Sequence, residues 1–279
     1  MTRTWRDLLD EASAILGSRR EARWLIEEAT GYEATELLLH LDEAATARSG
    51  AYLSGMVERR LAGEPLQYVL GHWGFRKLDL MVDRRVLIPR PETEQVVEWA
   101  IAEARALGRR PLRAVDLGTG SGAIAISLAV ELGGEVWATD VSAEALEVAT
   151  ANMAGVGMAA RRMRAVQGWW WKALPDELRG GVDVVVCNPP YVGERDPLPP
   201  EVIDYEPVIA LKSGPEGMDA IAEVIRDAPD WLAPGGVLVV ELDPRQSAAA
   251  VTLATSSGAA RAEVRVDALG RERALVAAW

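Results

Sequence analysis

The run Val115-Asp116-Leu117-Gly118-Thr119-Gly120-Ser121-Gly122-Ala123 joins an apolar strand-like stretch, Ala114–Leu117, to an apolar helix-like one, Ala123–Leu132. Glycine lets a chain turn tightly and lets a ligand come close to the backbone. Gly118, Gly120 and Ala123 also satisfy the G-x-G-x-x-G/A pattern of dinucleotide sites. Such a strand-to-helix turn belongs at the carboxyl edge of a parallel sheet, where ligands bind. Ligand contacts are expected from Asp116, Gly118, Thr119, Gly120, Ser121 and Gly122. The loop alone does not separate a nicotinamide cofactor from S-adenosylmethionine, and a tight turn without a ligand is the plainer alternative.

Toward the C-terminus, strands alternate with helices. Glu135–Thr139, Arg164–Gln167, Val182–Cys187 and Val237–Leu242 read as strands, with helices at Ala143–Met153 and Ile221–Leu232. Val182–Cys187 is apolar almost throughout, as a strand covered on both faces should be. Ala262–Val266 and Ala274–Ala277 read as a closing antiparallel pair. The fold class is therefore α/β, an open Rossmann-like sheet with helices on both faces.

Toward the N-terminus the period changes. Trp5, Leu8, Leu9, Ala12, Ile15 and Leu16 recur at spacings of three and four, which predicts a helix with one buried face. Ser18 and Glu21 suggest a capping box for a second helix, with Ala22, Leu25, Ile26 and Ala29 inward and Gly31 as the stop. A short third helix is expected over Thr35–His40 and a fourth over Thr46–Leu61. Residues 66–88, with Gly71, Gly74 and Arg76-Lys77, read as a hairpin connector. Pro89 and Pro91 then fix the backbone, and a helix is expected from about Glu92 to Leu107. The expected domains are a helical one over 1–65, the hairpin over 66–88 and the α/β domain over 89–279.

Composition excludes several classes. Of the 279 residues, 49% are apolar and 26% charged, which suits a folded globular chain and not a disordered one. The single cysteine, Cys187, rules out an internal disulfide framework, and two histidines, His40 and His72, leave little for a metal site. No metal is expected. The net charge of −12 disfavours broad contact with a phosphate backbone. Residues 1–85 hold 12 Lys and Arg against 14 Asp and Glu, so most of the negative charge lies beyond them. The first residues lack the apolar run of a secretory leader, and no stretch has the roughly 20 apolar residues needed to cross a bilayer. A cytoplasmic location away from membranes is expected, and a monomer.

Two further positions carry chemistry. Asp140 follows the glycines by about 20 residues at a strand end, where a carboxylate accepts from ribose hydroxyls. Capping the next helix is its alternative role, but Ser142 suits that better. Asn188-Pro189-Pro190-Tyr191 directly follows the strand Val182–Cys187. The prolines stiffen the loop and remove two donors. The Asn188 side-chain oxygen and the Pro189 carbonyl remain as acceptors, which suit the two hydrogens of an NH2 group, and Tyr191 offers a flat face. Hydride transfer needs no such pair, whereas methylation of an amide or aryl amine does. Cys187 is expected to be a buried, inert thiol, and the histidines structural or surface residues. Arg90 faces an anion or a protein partner, or pairs with Glu92 or Glu94.

The chain resembles the release-factor glutamine methyltransferases, the HemK/PrmC family. The resemblance rests on Glu64-Pro65-Leu66-Gln67-Tyr68, Leu87-Ile88-Pro89-Arg90-Pro91-Glu92-Thr93-Glu94, Asp116–Ile124 and Asn188–Tyr191. Tyr205-Glu206-Pro207, Ala210-Leu211 and Pro234-Gly235-Gly236 extend it. It implies a class I methyltransferase sheet, S-adenosyl-L-methionine as cofactor, and class I peptide chain release factors as partners. The expected reaction is methylation of the glutamine side chain in their Gly-Gly-Gln motif. It further implies catalytic roles for Asn188, Pro189 and Tyr191, substrate contact at Asn188, Pro189, Pro190 and Tyr191, cofactor contact at Asn188 as well, and Trp170 packed on the adenine. The pattern departs at Trp169, where the family often has aspartate, and at Asp243, where it commonly has glycine. Methylation of a ribosomal-protein glutamine, of a nucleic-acid adenine amine, or a non-catalytic binding role are the competing readings.

Overall fold

A computed structural model describes residues 3–279. The chain divides into two compact units. One runs through His72 and also takes in Pro199–Tyr205, and the other holds the remainder.

The first unit is helical: α1 (Trp5–Leu16), α2 (Arg19–Thr30), α3 (Ala34–His40), α4 (Ala47–Leu61) and α5 (Leu66–Leu70). Side-chain caps start three of them. Thr4 and Asp7 form a reciprocal box on α1, while Ser18 and Thr46 accept the first-turn N–H groups of α2 and α4. Trp5, Leu8, Leu25, Ile26, Leu53 and Met56 form the core. Ile15, expected inside, is exposed because α1 buries only its Trp5–Ala12 stripe. The expected boundary at residue 65 also shifts. Pro65 starts α5, Leu66 and Val69 enter the helical core one turn apart, and left-handed Gly71 stops the helix. Tyr205, far along the chain, belongs to this unit and donates its hydroxyl to the Ala62 carbonyl at 2.9 Å.

The hairpin is accordingly shorter than expected: β1 (His72–Phe75) and β2 (Leu78–Met81). Arg76, at its turn with φ 52°, donates to Glu131 and Glu98 at 2.7 Å each and fastens the turn to two helices. Next come α6 (Pro91–Leu107), β3 (Arg113–Leu117), α7 (Ala123–Leu132), β4 (Glu135–Asp140), α8 (Ala143–Ala154), β5 (Met163–Gln167) and β6 (Val182–Cys187). Then follow α9 (Pro200–Tyr205), α10 (Asp219–Trp231), β7 (Leu232–Glu241), α11 (Ser247–Ser256), β8 (Arg261–Val266) and β9 (Glu272–Ala278).

Strand order in the main sheet is β5-β4-β3-β6-β7-β9-β8. β3 to β7 are parallel, and β9 is antiparallel to both β7 and β8. Alternate residues of each inner strand enter opposite cores. Ala114, Val184, Val186 and Val239 meet α6 and α7, whereas Val115, Leu117, Val185 and Val240 meet α10 and α11. This two-sided burial explains the unbroken apolar runs. The β3 strand has β4 on one side and β6 on the other, so its carboxyl end is the switch point where a crevice opens. Among the described residues no helix is long and apolar enough to cross a membrane.

Candidate active site

Register sets the site. Leu117 pairs with Thr139 on one side and Cys187 on the other, and Cys187 pairs with Val240. The residues that follow, Gly118, Asp140, Asn188 and Glu241, therefore leave adjacent strands at one level.

The glycine loop is held by backbone donors. Gly118 and Thr119 donate their N–H groups to the Thr139 carbonyl at 2.9 and 2.8 Å. Gly120 N–H donates to Asp140 Oδ2, and Ser142 N–H to Asp140 Oδ1, each at 2.9 Å. Ser142 caps α8, which leaves Asp140 on the cavity wall. Burial pushes the Asp140 carboxyl up, against the pull of those N–H groups. Asn152 on α8 donates to the Ser121 carbonyl at 2.9 Å, a support the sequence did not single out. Asp116 lies behind the loop, and its Oδ1 has no partner among the described residues. It is fully buried, and its Oδ2 accepts from the Thr119 hydroxyl at 2.6 Å and the Ala125 N–H at 3.0 Å. Its carboxyl, pushed up to about 7 by burial, braces the loop from behind instead of lining the cavity.

The cavity at this edge measures about 360 Å³, within the range of small-molecule sites. Gly118, Thr119, Gly120, Ser121, Asp140, Trp170, Asn188 and Pro190 all line it. Gly122, Pro189 and Tyr191 do not: Gly122 turns into α7, Pro189 is buried beside the strand end, and the Tyr191 hydroxyl points to Glu241 at 3.3 Å.

The three tryptophans divide. Trp171 is core, stacked on Trp231 with its indole N–H on the Val224 carbonyl. Trp170, at φ 45°, meets Trp169 edge to face and lies against Gly118, where a Cβ would stand 3.0 Å from its ring. Trp169 donates its indole N–H to Glu223 Oε2 at 2.8 Å. Glu223 itself lines the cavity. Its sequence signal was slight, one carboxylate among buried Ala220, Ile221, Ala222, Val224 and Ile225.

On the opposite side, Asn188 Nδ2 donates to Thr93 Oγ1 at 3.2 Å, and the Thr93 hydroxyl donates to Glu241 Oε2 at 2.8 Å. The Tyr191 carbonyl accepts from Gln246 Nε2 at 2.9 Å. Asp243 starts the short turn that carries Gln246, in a reciprocal capping box with it. This gives Asp243 a physical role. Arg90 pairs with Glu206 at 2.5 Å, in place of either expected partner, and Glu206 also accepts the Ile88 N–H at 3.2 Å. Glu94 instead accepts the Arg76 N–H. Cys187 is buried, and burial raises its thiol well above its ordinary range. His40 pairs with Glu43, and His72 with Glu28.

Residues 1–71 match the PrmC N-terminal domain, and residues 104–198 match the methyltransferase small domain. A release factor glutamine methyltransferase of Cereibacter sphaeroides is 37% identical, over 94% of this chain and 91% of its own. Those of Bifidobacterium longum and Deinococcus radiodurans are 36% and 38% identical, each covering at least 96% of both chains. The chain belongs to the release factor glutamine methyltransferase family. Among solved structures, a methyltransferase from Pyrococcus furiosus shares the fold at TM-score 0.54 and 19% identity, over 81% of this chain and 98% of that one. The N-terminal domain of human METTL16 in complex with SAH does so at 0.53 and 16%, over 82% and 81%.

Membership implies S-adenosyl-L-methionine, and the residues present fit it. Open space lies above Gly120, where an added Cβ meets nothing within 4 Å. Each Asp140 oxygen keeps a lone pair beyond its backbone bond, which suits a ribose diol. Trp170 offers an aromatic wall, and its buried Nε1 has no partner among the described residues.

Proposed function

We propose that the chain methylates the side-chain amide nitrogen of the glutamine in the Gly-Gly-Gln motif of class I release factors, with S-adenosyl-L-methionine as donor. The observation that carries this reading is the level exit of Gly118, Asp140 and Asn188 into one cavity. Family membership supplies the substrate class.

On this reading Asp140 takes the ribose, the Gly118–Gly122 loop the methionine portion, and Trp170 the adenine, with Glu223 as the acid on that wall. S-adenosylmethionine supplies an electrophilic sulfonium methyl with a neutral thioether as leaving group. An amide nitrogen is a poor nucleophile because its lone pair is delocalised, so the residues must act by positioning. Asn188 Oδ1 accepts one amide hydrogen, and the Pro189 carbonyl, next along the chain, accepts the other. Both acceptors favour the positive charge that grows on nitrogen. Pro190 walls the substrate side and Tyr191 steadies the loop. Neither histidine belongs to this loop and Cys187 is a buried thiol, so the proton leaves to water after transfer. The helical unit docks the release factor. The net charge of −12 fits a protein partner better than a nucleic acid. The enzyme acts in the cytoplasm as a monomer.

Mass spectrometry after mixing the protein, S-adenosylmethionine and a purified class I release factor tests this. One added methyl on the Gly-Gly-Gln glutamine, lost in Asn188→Ala, is the expected result. Cofactor binding without methylation would overturn the substrate assignment.

A further inference from the structure

A hydrogen-bonded chain lies behind Asn188, and amide recognition as described does not use its far end. Glu241 closes β7 after the buried run Val237–Val240 and is itself fully buried. An apolar residue would suit that position at far less desolvation cost. Its Oε2 accepts the Thr93 hydroxyl at 2.8 Å, and Thr93 Oγ1 accepts Asn188 Nδ2 at 3.2 Å. The chain thus links β7, α6 and the loop after β6.

Direction is what this arrangement controls. A hydroxyl has one hydrogen. With Glu241 ionised and that hydrogen committed to its carboxylate, Thr93 presents only lone pairs to Asn188. Only the NH2 arm of the Asn188 carboxamide can face it, and the group is planar, so its oxygen lies on the other arm. We propose that Glu241 is a positioning residue which, through Thr93, fixes the Asn188 carboxamide with its oxygen toward the substrate amide. The proposal rests on the amide-recognition role given to Asn188 above. Without the relay, Asn188 is free to flip and present donors to a substrate group that is itself a donor.

The test compares Thr93→Val, Glu241→Gln, their double variant, Thr93→Ser and Asn188→Ala in the full chain. The readouts are kcat and KM for a purified release factor, Kd for S-adenosylmethionine, and the NMR signals of the Asn188 side-chain NH2. Thr93→Val and Glu241→Gln should each lower kcat by about ten- to hundredfold, the scale of a misdirected charge-assisted hydrogen bond. Cofactor Kd should change by less than about threefold, because the relay shares no hydrogen-bond partner with the glycine loop. The double variant should lose no more than the worse single one, since residues acting as a unit are not additive. Thr93→Ser keeps the hydroxyl and should retain the rate. The Asn188 NH2 signals should shift in Thr93→Val and Glu241→Gln but not in Thr93→Ser. If Glu241→Gln fails to fold, the Thr93 pair carries the test. Wild-type kcat and unshifted Asn188 signals in Thr93→Val, or multiplying losses in the double variant, would overturn the relay while an inactive Asn188→Ala left amide recognition standing. A fully active Asn188→Ala would overturn both.

Discussion

The Asp140 carboxylate accepts the Gly120 N–H at 2.9 Å, which makes the end of β4 and the glycine loop one hydrogen-bonded unit. Removing the carboxylate loosens the loop and takes away the ribose acceptor together. Hydrogen bonds to charged groups are worth about 1.5–3 kcal/mol each, so Asp140→Ala should weaken S-adenosylmethionine by roughly ten- to hundredfold. Asp140→Asn keeps one oxygen acceptor and should fall between. Calorimetric titration checks the order, and an alanine variant that binds like wild type would remove Asp140 from the site.

Trp169 stands where the family often has an acid, yet a carboxylate still reaches that wall. Glu223 Oε2 takes the Trp169 indole N–H at 2.8 Å, and Glu223 Oε1 lies 3.4 Å from Lys172 Nζ. If Glu223 accepts from the adenine amine, Glu223→Ala should weaken the cofactor by about three- to tenfold, the worth of one such bond. The deaminated cofactor, whose base carries a carbonyl in place of the amine, provides the sharper measurement. Wild type should reject it and Glu223→Ala should not. Equal discrimination by both proteins would exclude Glu223 from reading the base.

Two buried carboxyls set a pH dependence of stability. Burial is the main cause that pushes Asp116 and Glu241 up to about 7 each. Around Glu241, Arg273 opposes the shift and Glu92 adds to it, while Tyr191 and Cys187 also face it. The folded state therefore holds protons between about pH 4.5 and 7 that the unfolded chain has released. Their contribution is complete below the ordinary carboxyl range and is lost as pH rises through about 7. Glu241→Gln has no such proton, so its denaturation midpoint should fall less across that window than wild type. Parallel curves for the two proteins would place Glu241's folded value near its unfolded one.

Much of this arrangement is legible in the sequence because it follows local rules. Ala123–Leu132 and Val182–Cys187 have the observed bounds, since glycine and apolar runs mark strand ends and helix starts plainly. What stayed hidden depends on distant contacts. Ser247–Ser256 lacks a polar face of helical period, so α11 carried no pattern to read. Leu66–Leu70 is helical because Leu66 and Val69 find a core that the hairpin reading did not supply. Glu206 as the partner of Arg90, and Glu241 behind Thr93, join residues more than 100 positions apart. Asp116 beside a glycine loop reads as a ligand contact, and only its burial shows that it faces the loop's own Thr119 and Ala125.

Gln246 fastens the Asn188 loop from the side away from the glycine loop, and that separation is measurable. Its Nε2 donates to the Tyr191 carbonyl at 2.9 Å and to the Glu216 carbonyl at 3.2 Å. Gly217, at φ 75°, passes so close that a Cβ there would collide with the same Tyr191 carbonyl. Gln246→Ala removes the donor from two part-buried carbonyls and should cost about 1 kcal/mol of stability. Gly217→Ala forces the loop itself to move and should cost at least as much, through both the clash and the left-handed backbone. Asp243→Gly keeps Gln246 but removes its cap, so it should be the mildest of the three. In all three, kcat with the release factor should fall while S-adenosylmethionine binds within about threefold of wild type, because sites without shared partners behave independently. Cofactor titration beside turnover separates these effects. A matching loss of cofactor affinity would show that the two loops are coupled through the sheet edge.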